Sequence, residues 1–324
     1  MNRFLITSFA LLAYWTGLDA LFYWLNRKSK RTITFHNVLP DDGFVWNCET
    51  DYSLSESLFR KVVRELAKRW RFSTDLFDAN TVTLSFDDGN ANQYEIAAEI
   101  LREEGDIPAV LFYAHHDEDW RKSGPAIDKL LFWLAYAPNA ARARADGARN
   151  RFEADVDTRG RSTIEWLDTI FPFDRLYASK SNEYLRLRFD GIKNDQIHDL
   201  RKRGWIVGWH TRTHFPLAYL DEASQRKEMM PPVDMRGMPF SYPYGETKRV
   251  NESAIKVAEE IGFPCAVANT EYGGPLHGRF FLPRFNLPPL TSSYDVYLLH
   301  LQLSGLKYFI KKHKLLPVVT NGDN

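Results

Sequence analysis

The hydrophobic pattern of the chain alternates between two kinds of segment. Short continuous apolar runs are typical of buried strands, and apolar residues three or four positions apart are typical of helices with one buried face. The predicted strands are 32–36, 81–86, 109–113, 205–209, 239–242, 265–268 and 280–282. The segment 280–282 is predicted to be the last strand. The predicted helices are 54–70, 93–103, 129–136, 195–202 and 251–262. Because strands and helices take turns, the pattern predicts an α/β fold with a parallel sheet.

The pattern is interrupted at about residues 115–190. A buried helix is predicted at 129–136, and the segment 140–151 that follows is rich in alanine and arginine. Such a run is usually the solvated face of a helix or a mobile loop, and a basic lid over an anionic sugar is the alternative. The region is therefore predicted to be an insertion.

The N-terminal segment 4–25 is nearly all apolar, and it is followed by the basic residues Arg27, Lys28, Lys30 and Arg31. Its length allows a membrane span, but Asp19 would be costly in a bilayer. A helix that docks on the protein or lies in the membrane interface is the alternative. No small-residue cleavage site follows it, which argues against a removed signal peptide. The basic flank predicts a cytoplasmic location for the rest of the chain, at the inner face of the membrane if the helix is an anchor.

Composition limits the classes of function. Of the 324 residues, 42 are Lys or Arg and 42 are Asp or Glu, so the formal net charge is zero. A neutral chain is a poor candidate for bulk electrostatic binding to nucleic acid, and none is predicted. Cys48 and Cys265 are far apart and lie in no metal-binding spacing. Reduced, buried cysteines are predicted, with a single disulfide as the alternative.

Candidate metal ligands follow two of the predicted strands. Asp87, Asp88 and Gly89 come where one apolar run ends, and His210 and His214 come directly after another. Imidazole and carboxylate together suit a divalent transition metal such as zinc. Three protein ligands would leave a position open for water, and the remaining carboxylate could act as a base. Taken alone, Asp-Asp-Gly is usually a turn and two histidines four apart are usually neighbours on a helix surface.

At these residues the chain resembles the polysaccharide deacetylases of the NodB-homology type. The residues that carry the resemblance are Ser85-Phe86-Asp87-Asp88-Gly89, His210 to His214, the partial match Phe240-Ser241-Tyr242-Pro243-Tyr244-Gly245, and the opening Thr34-Phe35-His36-Asn37-Val38. The resemblance implies an incomplete (β/α)7 barrel, similar to a TIM barrel, over residues 32–290. Residues 1–31 would then form an apolar helix with a basic flank, and 291–324 a C-terminal helix and tail.

The resemblance also implies roles for individual residues. Asp88, His210 and His214 would hold one divalent ion, with zinc as the first choice and cobalt, nickel or manganese as alternatives. Asp87 would be the general base. Tyr244, next to Pro243 in the substrate-binding segment, would offer its backbone N–H to the oxyanion.

Two departures from the family pattern leave roles open. The arginine that orients the base in the family is replaced by Ser241, and Arg284 is the candidate replacement, with a surface ion pair as the alternative. The late histidine that supplies the general acid has no clean match, because His277 and His300 fit poorly. His36, at the end of the first strand, is the preferred acid or substrate ligand, with a structural histidine as the alternative. His115 and His116 are weaker candidates.

The resemblance implies a hydrolase that removes N-acetyl groups from an amino-sugar polysaccharide or oligosaccharide. A deformylase or another hydrolase of non-peptide C–N bonds on the same fold is one alternative. A non-catalytic glycan-binding protein is another, favoured only by the missing arginine. The predicted partner is an N-acetylated glycan. Membrane association through residues 4–25 is also predicted as an alternative to docking on the protein. No oligomeric state is predicted.

Overall fold

A parallel sheet curled into a ring forms the centre of the molecule. The computed structural model describes residues 3–42, 44, 52–114, 125–155, 161–270, 278–288, 290, 292 and 294–313. The strands are β1 (Thr32–Phe35), β2 (Asn37–Leu39), β3 (Ser53–Ser55), β4 (Arg71–Phe72), β5 (Thr81–Asp88), β6 (Val110–Tyr113), β7 (Ile206–Trp209), β8 (Phe240–Ser241), β9 (Ala266–Ala268), β10 (Leu282–Pro283) and β11 (Phe285–Asn286). The main sheet runs in the order β10-β9-β8-β7-β6-β5-β1-β11, with β4 added beside β5.

One extended segment closes this ring. Its first half, β10, pairs with β9, and its second half, β11, pairs with β1, in parallel in both cases. The two ends of the sheet are therefore consecutive pieces of the same segment, with Arg284 between them. If this segment is counted once, the described residues form a ring of seven strands, and the predicted (β/α)7 barrel is confirmed. The prediction that residues 280–282 form the last strand is wrong, because β11 follows.

Helices cover the outside of the ring. They are α1 (Arg3–Trp15), α2 (Leu18–Leu25), α3 (Glu56–Ala67), α4 (Glu99–Glu103), α5 (Ala126–Tyr136), α6 (Asn139–Arg144), α7 (Ala148–Ala154), α8 (Arg161–Ile170), α9 (Phe173–Ala178), α10 (Asn182–Phe189), α11 (Asn194–Lys202), α12 (Glu222–Met229), α13 (Glu252–Ile261), α14 (Val296–Leu303) and α15 (Leu306–Lys312). The predicted ends of α13 illustrate the local chemistry. The Asn251 side chain accepts a hydrogen bond from the Ala254 N–H at 2.9 Å, and Gly262 ends the helix with a φ of 89°.

On the strand β6, side chains alternate between two apolar regions. On β6, Leu111 joins the large core between sheet and helices, whereas Val110 and Phe112 join a smaller cluster with Val267 and Leu282. Because successive strand residues point to opposite faces, this smaller cluster fills the interior of the ring. Cys265 belongs to it as a buried free thiol, and Cys48 lies outside the described residues.

The helices α5 to α10 lie between β6 and β7 and have a hydrophobic core of their own. The segment 140–151 is not a loop, because it forms α6 and α7, which bury Ala141 and Ala148 and leave most of its arginines exposed. Within the insertion, a buried ion pair joins α10 to α5, with Arg188 Nη2 2.6 Å from Asp128 Oδ1. Asn37, which begins β2, donates to the same Asp128 oxygen at 3.3 Å.

The predicted single N-terminal helix is wrong, because two helices occupy this segment. They meet at an angle of 76°. Gly17, at the break, has a φ of 75°, a left-handed conformation that ends α1 and that glycine adopts without strain. Both helices lie against the C-terminal helices, where Ala10 and Ala13 pack with Leu298 and Leu301.

His300 lies at the contact between these N-terminal helices and α14. It is 1% exposed, and its Nδ1 lies 3.2 Å from the Tyr23 hydroxyl. Burial and the Arg69 and Lys68 charges together lower the pKa of His300 to about 4, and Glu65 partly opposes them. The imidazole is therefore neutral in the folded protein at neutral pH, and it contacts Tyr23 and Glu65 rather than the candidate metal ligands.

We expect this contact to weaken in acid. Because the folded pKa of His300 lies below its unfolded value of about 6.5, the unfolded chain takes up the proton first, and stability falls as pH drops from about 6.5 toward 4. The loss from this group between pH 7 and pH 5 should be about 2 kcal/mol. Urea unfolding of wild type and His300→Gln at both pH values measures it. His313→Gln, at an exposed position, is the control, and an equal pH effect in all three proteins would contradict the assignment.

Candidate metal centre

Polar side chains from several strands meet at the carboxyl end of the ring. Asp87 and Asp88 are the last residues of β5, and His210 directly follows β7. Ser241 ends β8, and Arg284 lies between β10 and β11. Parallel strands deliver their last residues to one face, which is where barrels of this kind place functional side chains. The seven-strand ring thus brings together residues that are far apart in the sequence.

Asp88, His210 and His214 lie close enough together to hold one metal ion. Their ligand atoms all lie within 4.8 Å of one another. Asp88 Oδ1 is 3.7 Å from His210 Nε2 and 3.4 Å from His214 Nε2. Two ligand atoms bound to one tetrahedral zinc ion are about 3.3 Å apart, since each lies about 2.0 to 2.2 Å from the metal. The spacing of these atoms therefore fits a zinc-sized ion after small movements.

The ring of His210 is oriented by the neighbouring strand. Its Nδ1 lies 2.8 Å from the Ser241 carbonyl oxygen, to which only an Nδ1–H can donate. The proton on Nδ1 leaves Nε2 as the atom with a lone pair, and Nε2 faces Asp88. Burial lowers the pKa of His210, which keeps the imidazole neutral as a metal ligand requires. A carbonyl that fixes the tautomer of a ligand histidine is a usual second partner in metal sites.

The loop that carries His214 is held by α12. Glu228 accepts a hydrogen bond from the Thr213 N–H at 2.9 Å and another from the Thr213 hydroxyl at 2.7 Å. The Thr211 hydroxyl accepts from the His214 N–H at 3.0 Å. The two histidines therefore lie on a loop that is held by hydrogen bonds, and not on one face of a helix.

Left-handed backbone conformations cluster around the same site. The φ angles of Asp88, Thr211, His214 and Tyr244 are 81°, 71°, 55° and 62°. Non-glycine residues rarely adopt this conformation, and it concentrates at functional sites where surrounding contacts maintain it. The adjacent Gly89 is required for space, because a Cβ there would lie 2.5 Å from the Tyr113 ring. The site is thus built from strained turns at the strand ends.

Asp87 forms a buried ion pair with Arg284, in addition to lying beside the candidate metal ligands. Arg284 Nη1 donates to Asp87 Oδ1 at 2.7 Å, and Nη2 donates to Oδ2 at 2.6 Å. Nη2 also donates to Ser241 Oγ at 2.8 Å, and Nη1 to Ser85 Oγ at 3.2 Å. The guanidinium carbon lies 5.2 Å from the centre of the Phe112 ring. Arg284 is fully buried, so it is not a surface residue, and it contacts the serine that replaces the family arginine.

The ion pair sets the charge of Asp87. Burial alone would raise the pKa of this carboxyl, but the charge of Arg284 and its hydrogen bonds outweigh it and hold the pKa well below its usual range. Asp88 shows the opposite behaviour, because burial and the neighbouring Asp87 raise its pKa well above the usual value. Asp88 therefore needs a cation to remain ionised, which the candidate metal site would provide.

His36 faces the same site from the first strand. It lies between β1 and β2, and its ring meets the Tyr52 ring edge-on at 5.1 Å between centroids. Removal from water lowers its pKa to about 4, with Asp87 opposing this and Arg284 and His210 adding to it. The imidazole is therefore neutral at neutral pH, which suits a substrate ligand better than a charged acid. Its role stays a prediction.

Gln93 was not predicted as a site residue, and it links His36 to the aspartate motif. Its side chain is fully buried and donates to the His36 carbonyl at 2.8 Å and to the Asp87 carbonyl. Its Oε1 accepts from the Gly89 N–H at 3.1 Å. Gln93 begins a π-helical turn, Gln93–Ala98, where an ordinary α-helix was predicted, and such turns are frequent at functional sites. Its position four residues after Gly89 is the signal that sequence inspection could have used.

Tyr244 forms one wall of the site. Its ring lies 4.9 Å from that of His214, and the Arg249 guanidinium lies 4.7 Å from the Tyr244 ring centre. Asn269 N donates to the Gly245 carbonyl at 3.0 Å, which holds the turn after Pro243 and Tyr244. Arg249 is the second residue that the sequence did not single out. His115, His116 and His277 lie outside the described residues.

Comparisons with known proteins bear on the fold. No protein-family model matches the chain, and no curated protein matches it significantly. Among solved structures, the Streptococcus pyogenes deacetylase PplD in complex with acetate is 15% identical, with a TM-score of 0.50, over 84% of this chain and 97% of that chain. IcaB from Ammonifex degensii is 16% identical, with a TM-score of 0.46, over 84% and 97%. BC0361, a polysaccharide deacetylase from Bacillus cereus, is 14% identical, with a TM-score of 0.46, over 83% and 68%.

The chain is therefore an α/β-barrel protein with a candidate metal centre at the carboxyl end of its strands. More narrowly, it has the NodB-like fold of the polysaccharide deacetylases.

Proposed function

We propose that this protein is a metal-dependent hydrolase that removes N-acetyl groups from an amino-sugar polymer or oligomer. The observation that carries the proposal is the position of two different carboxylates beside two histidines. Asp88 shares its surroundings with His210 and His214, whereas Asp87 is held by a buried arginine. Two carboxylates in such different environments suit two different tasks, one as ligand and one as base.

The residues divide into an ion-holding set and a proton-handling set. Asp88, His210 and His214 would hold a divalent ion, with zinc preferred for its mixed nitrogen and oxygen ligands. Such an ion supplies Lewis acidity toward the amide carbonyl and lowers the pKa of water. Asp87 lies 3.7 Å from His210 Nε2, close enough to accept a proton from water at this position. Its pairing with Arg284 keeps it anionic and fixes the direction of its oxygens.

The remaining groups would orient the amide and its leaving group. The Tyr244 N–H, at a strained turn, is assigned to the oxyanion that forms from the carbonyl. His36 would donate a hydrogen bond to the substrate, since its ring shares the surroundings of Asp87. The proton that Asp87 takes from water would then pass to the departing amine. Tyr52, which is 39% exposed beside His36, offers ring surface on which a sugar could stack. A structural relative that is a deacetylase in complex with acetate supports acetate as the product.

Metal content and product release test this proposal together. We expect about one zinc ion per wild-type chain, and acetate but not formate from N-acetylated oligosaccharides. His210→Ala should lose both the metal and acetate release, because two remaining ligands hold zinc weakly. His198→Ala, at an exposed position on α11, is the matched control and should keep both.

Each other outcome points to a different function. Release of formate alone from an N-formylated amino sugar would favour the deformylase. Stoichiometric glycan binding with no product from the metal-loaded protein would favour the glycan-binding protein. Unchanged metal content in His210→Ala would reject the metal centre.

A further inference from the structure

The N-terminal helices expose many large apolar side chains. On α1, the exposed positions Leu5, Ser8, Leu12 and Trp15 recur at helical spacing and form one stripe. The apolar N-terminal surface consists of the following residues, each between 39% and 73% exposed: Phe4, Leu5, Leu12, Trp15, Leu21, Trp24, Leu25, Tyr308 and Phe309. α15 contributes the last two and joins the others through Phe22, whose ring lies 5.1 Å from that of Phe309. Apolar patches of this extent mark interaction surfaces.

The opposite face of the same helices is fixed to the barrel. Asp19 is 1% exposed and lies 2.8 Å from Arg69 Nη1. The Tyr14 hydroxyl donates to Glu65 at 2.9 Å, and the Thr7 hydroxyl to Asp295 at 2.9 Å. The exposure of these apolar residues is therefore not a result of loose attachment of the helices. They are docked by polar contacts on one side and present hydrophobic residues on the other.

Basic residues border this surface. Arg27 lies with its guanidinium carbon 5.0 Å from the Trp24 ring centre, and Lys28 is exposed next to it. Lys311 and Lys312 are exposed on α15. Asp19 is the only acidic residue in segment 4–31, and it is buried. The border is thus strongly positive although the chain as a whole has a net charge of zero.

We propose that the apolar N-terminal surface binds an anionic lipid bilayer, with α1 and α2 lying in the plane of the membrane interface. Apolar and tryptophan side chains next to lysine and arginine are the composition of interfacial helices. Each basic residue near an anionic leaflet adds attraction, and the cytoplasmic leaflet is the anionic one. A second copy of the chain is a poorer occupant. A twofold interface would place Arg27, Lys28, Lys311 and Lys312 of both copies around one patch, where they repel.

The helices are not arranged to cross the bilayer. Among the described residues, no single helix is long and apolar enough to span a membrane. Only α1 and α2 taken together reach the length and apolar composition of a span, and they are bent by 76°. At 1.5 Å per residue, their 13 and 8 residues extend about 20 and 12 Å, against about 30 Å of hydrocarbon. Straightening them would separate Asp19 from Arg69 and place a carboxylate in lipid.

Vesicle flotation of the full-length chain tests the proposal. We expect wild type to float with vesicles of phosphatidylcholine and phosphatidylglycerol and to bind pure phosphatidylcholine at least ~100-fold more weakly. The apolar variant carries Leu12→Gln, Trp15→Gln and Trp24→Gln, and it should lose binding to both. The charge variant carries Arg27→Gln, Lys28→Gln, Lys311→Gln and Lys312→Gln, and it should lose roughly 100-fold for anionic vesicles only.

The control places glutamine at exposed apolar residues elsewhere, Tyr219→Gln and Val233→Gln, and should bind like wild type. Far-UV circular dichroism and an unchanged thermal midpoint verify that every variant folds, as expected for exposed positions. Absence of wild-type flotation, or equal flotation of the apolar variant and the control, overturns the proposal. A concentration-dependent dimer that the apolar variant abolishes, together with no vesicle binding, would assign the surface to a second copy instead.

Discussion

Replacing Asp87 with asparagine should leave the metal in place and lower turnover by roughly 10²- to 10⁴-fold, the usual contribution of a general base. The amide keeps the size of the carboxylate but cannot accept a proton at neutral pH. Asp87 is also the partner of Arg284, so some loss of stability is expected with the loss of activity. The measurement is zinc content together with the rate of acetate release from an N-acetylated oligosaccharide.

Asp88→Asn is the matched control, because it alters the neighbouring carboxylate in the same way. This variant should lose metal, since Asp88 is one of the three candidate ligands. The comparison is decisive because the two residues are adjacent on β5. If Asp87→Asn loses the metal and Asp88→Asn retains it, the two roles are reversed.

Replacing Arg284 with methionine should lower the free energy of unfolding by about 3–5 kcal/mol, the usual cost of leaving one member of a buried ion pair unpaired. Turnover should fall as well. The guanidinium holds the pKa of Asp87 low, so without it burial raises that pKa. Asp87 is then protonated over a wider range of pH, so the acidic limb of the pH–rate profile should move to higher pH. Urea unfolding and the pH dependence of kcat measure the two effects.

Arg279→Met, at an exposed arginine a few residues earlier, is the control for loss of a charge alone. Arg284→Lys keeps the charge but not the two-pronged geometry, and it should restore part of the stability and less of the activity. An additional Ser241→Arg in the methionine variant places an arginine where the family has one, and it should recover part of the acidic limb. Normal activity with an unshifted acidic limb in Arg284→Met would leave the arginine with a packing role only.

The sequence was sufficient to predict which residues of the site lie together at the ends of strands. Apolar runs end at Asp88 and Trp209, and parallel strands deliver such residues to one face, so the grouping of the two motifs follows from local pattern. The location of Arg284 beside Asp87 was proposed for the same reason. Its catalytic role and those of His36 and Tyr244 stay predictions.

Other features depend on contacts that no local pattern encodes. Periodicity does not distinguish a π turn from an α turn, so the position of Gln93 was missed. The division of the N-terminal helix depends on Gly17 and on the docking of Asp19 against Arg69, which are 50 positions apart. The last strand was missed because β10 and β11 are each two residues long, too short for a detectable apolar run.

Ring closure by the segment Leu282–Asn286 determines when the candidate site is first complete. The pairing of Ile33 with Phe285 joins the beginning of the barrel to its end, so it requires a contact across most of the sequence and should form late in folding. The same segment delivers Arg284. A chain still emerging from the ribosome, or one whose barrel has opened, would lack the charge that keeps Asp87 ionised. Under the proposed function, hydrolysis would therefore require the completed fold, and incomplete chains would not act on glycans.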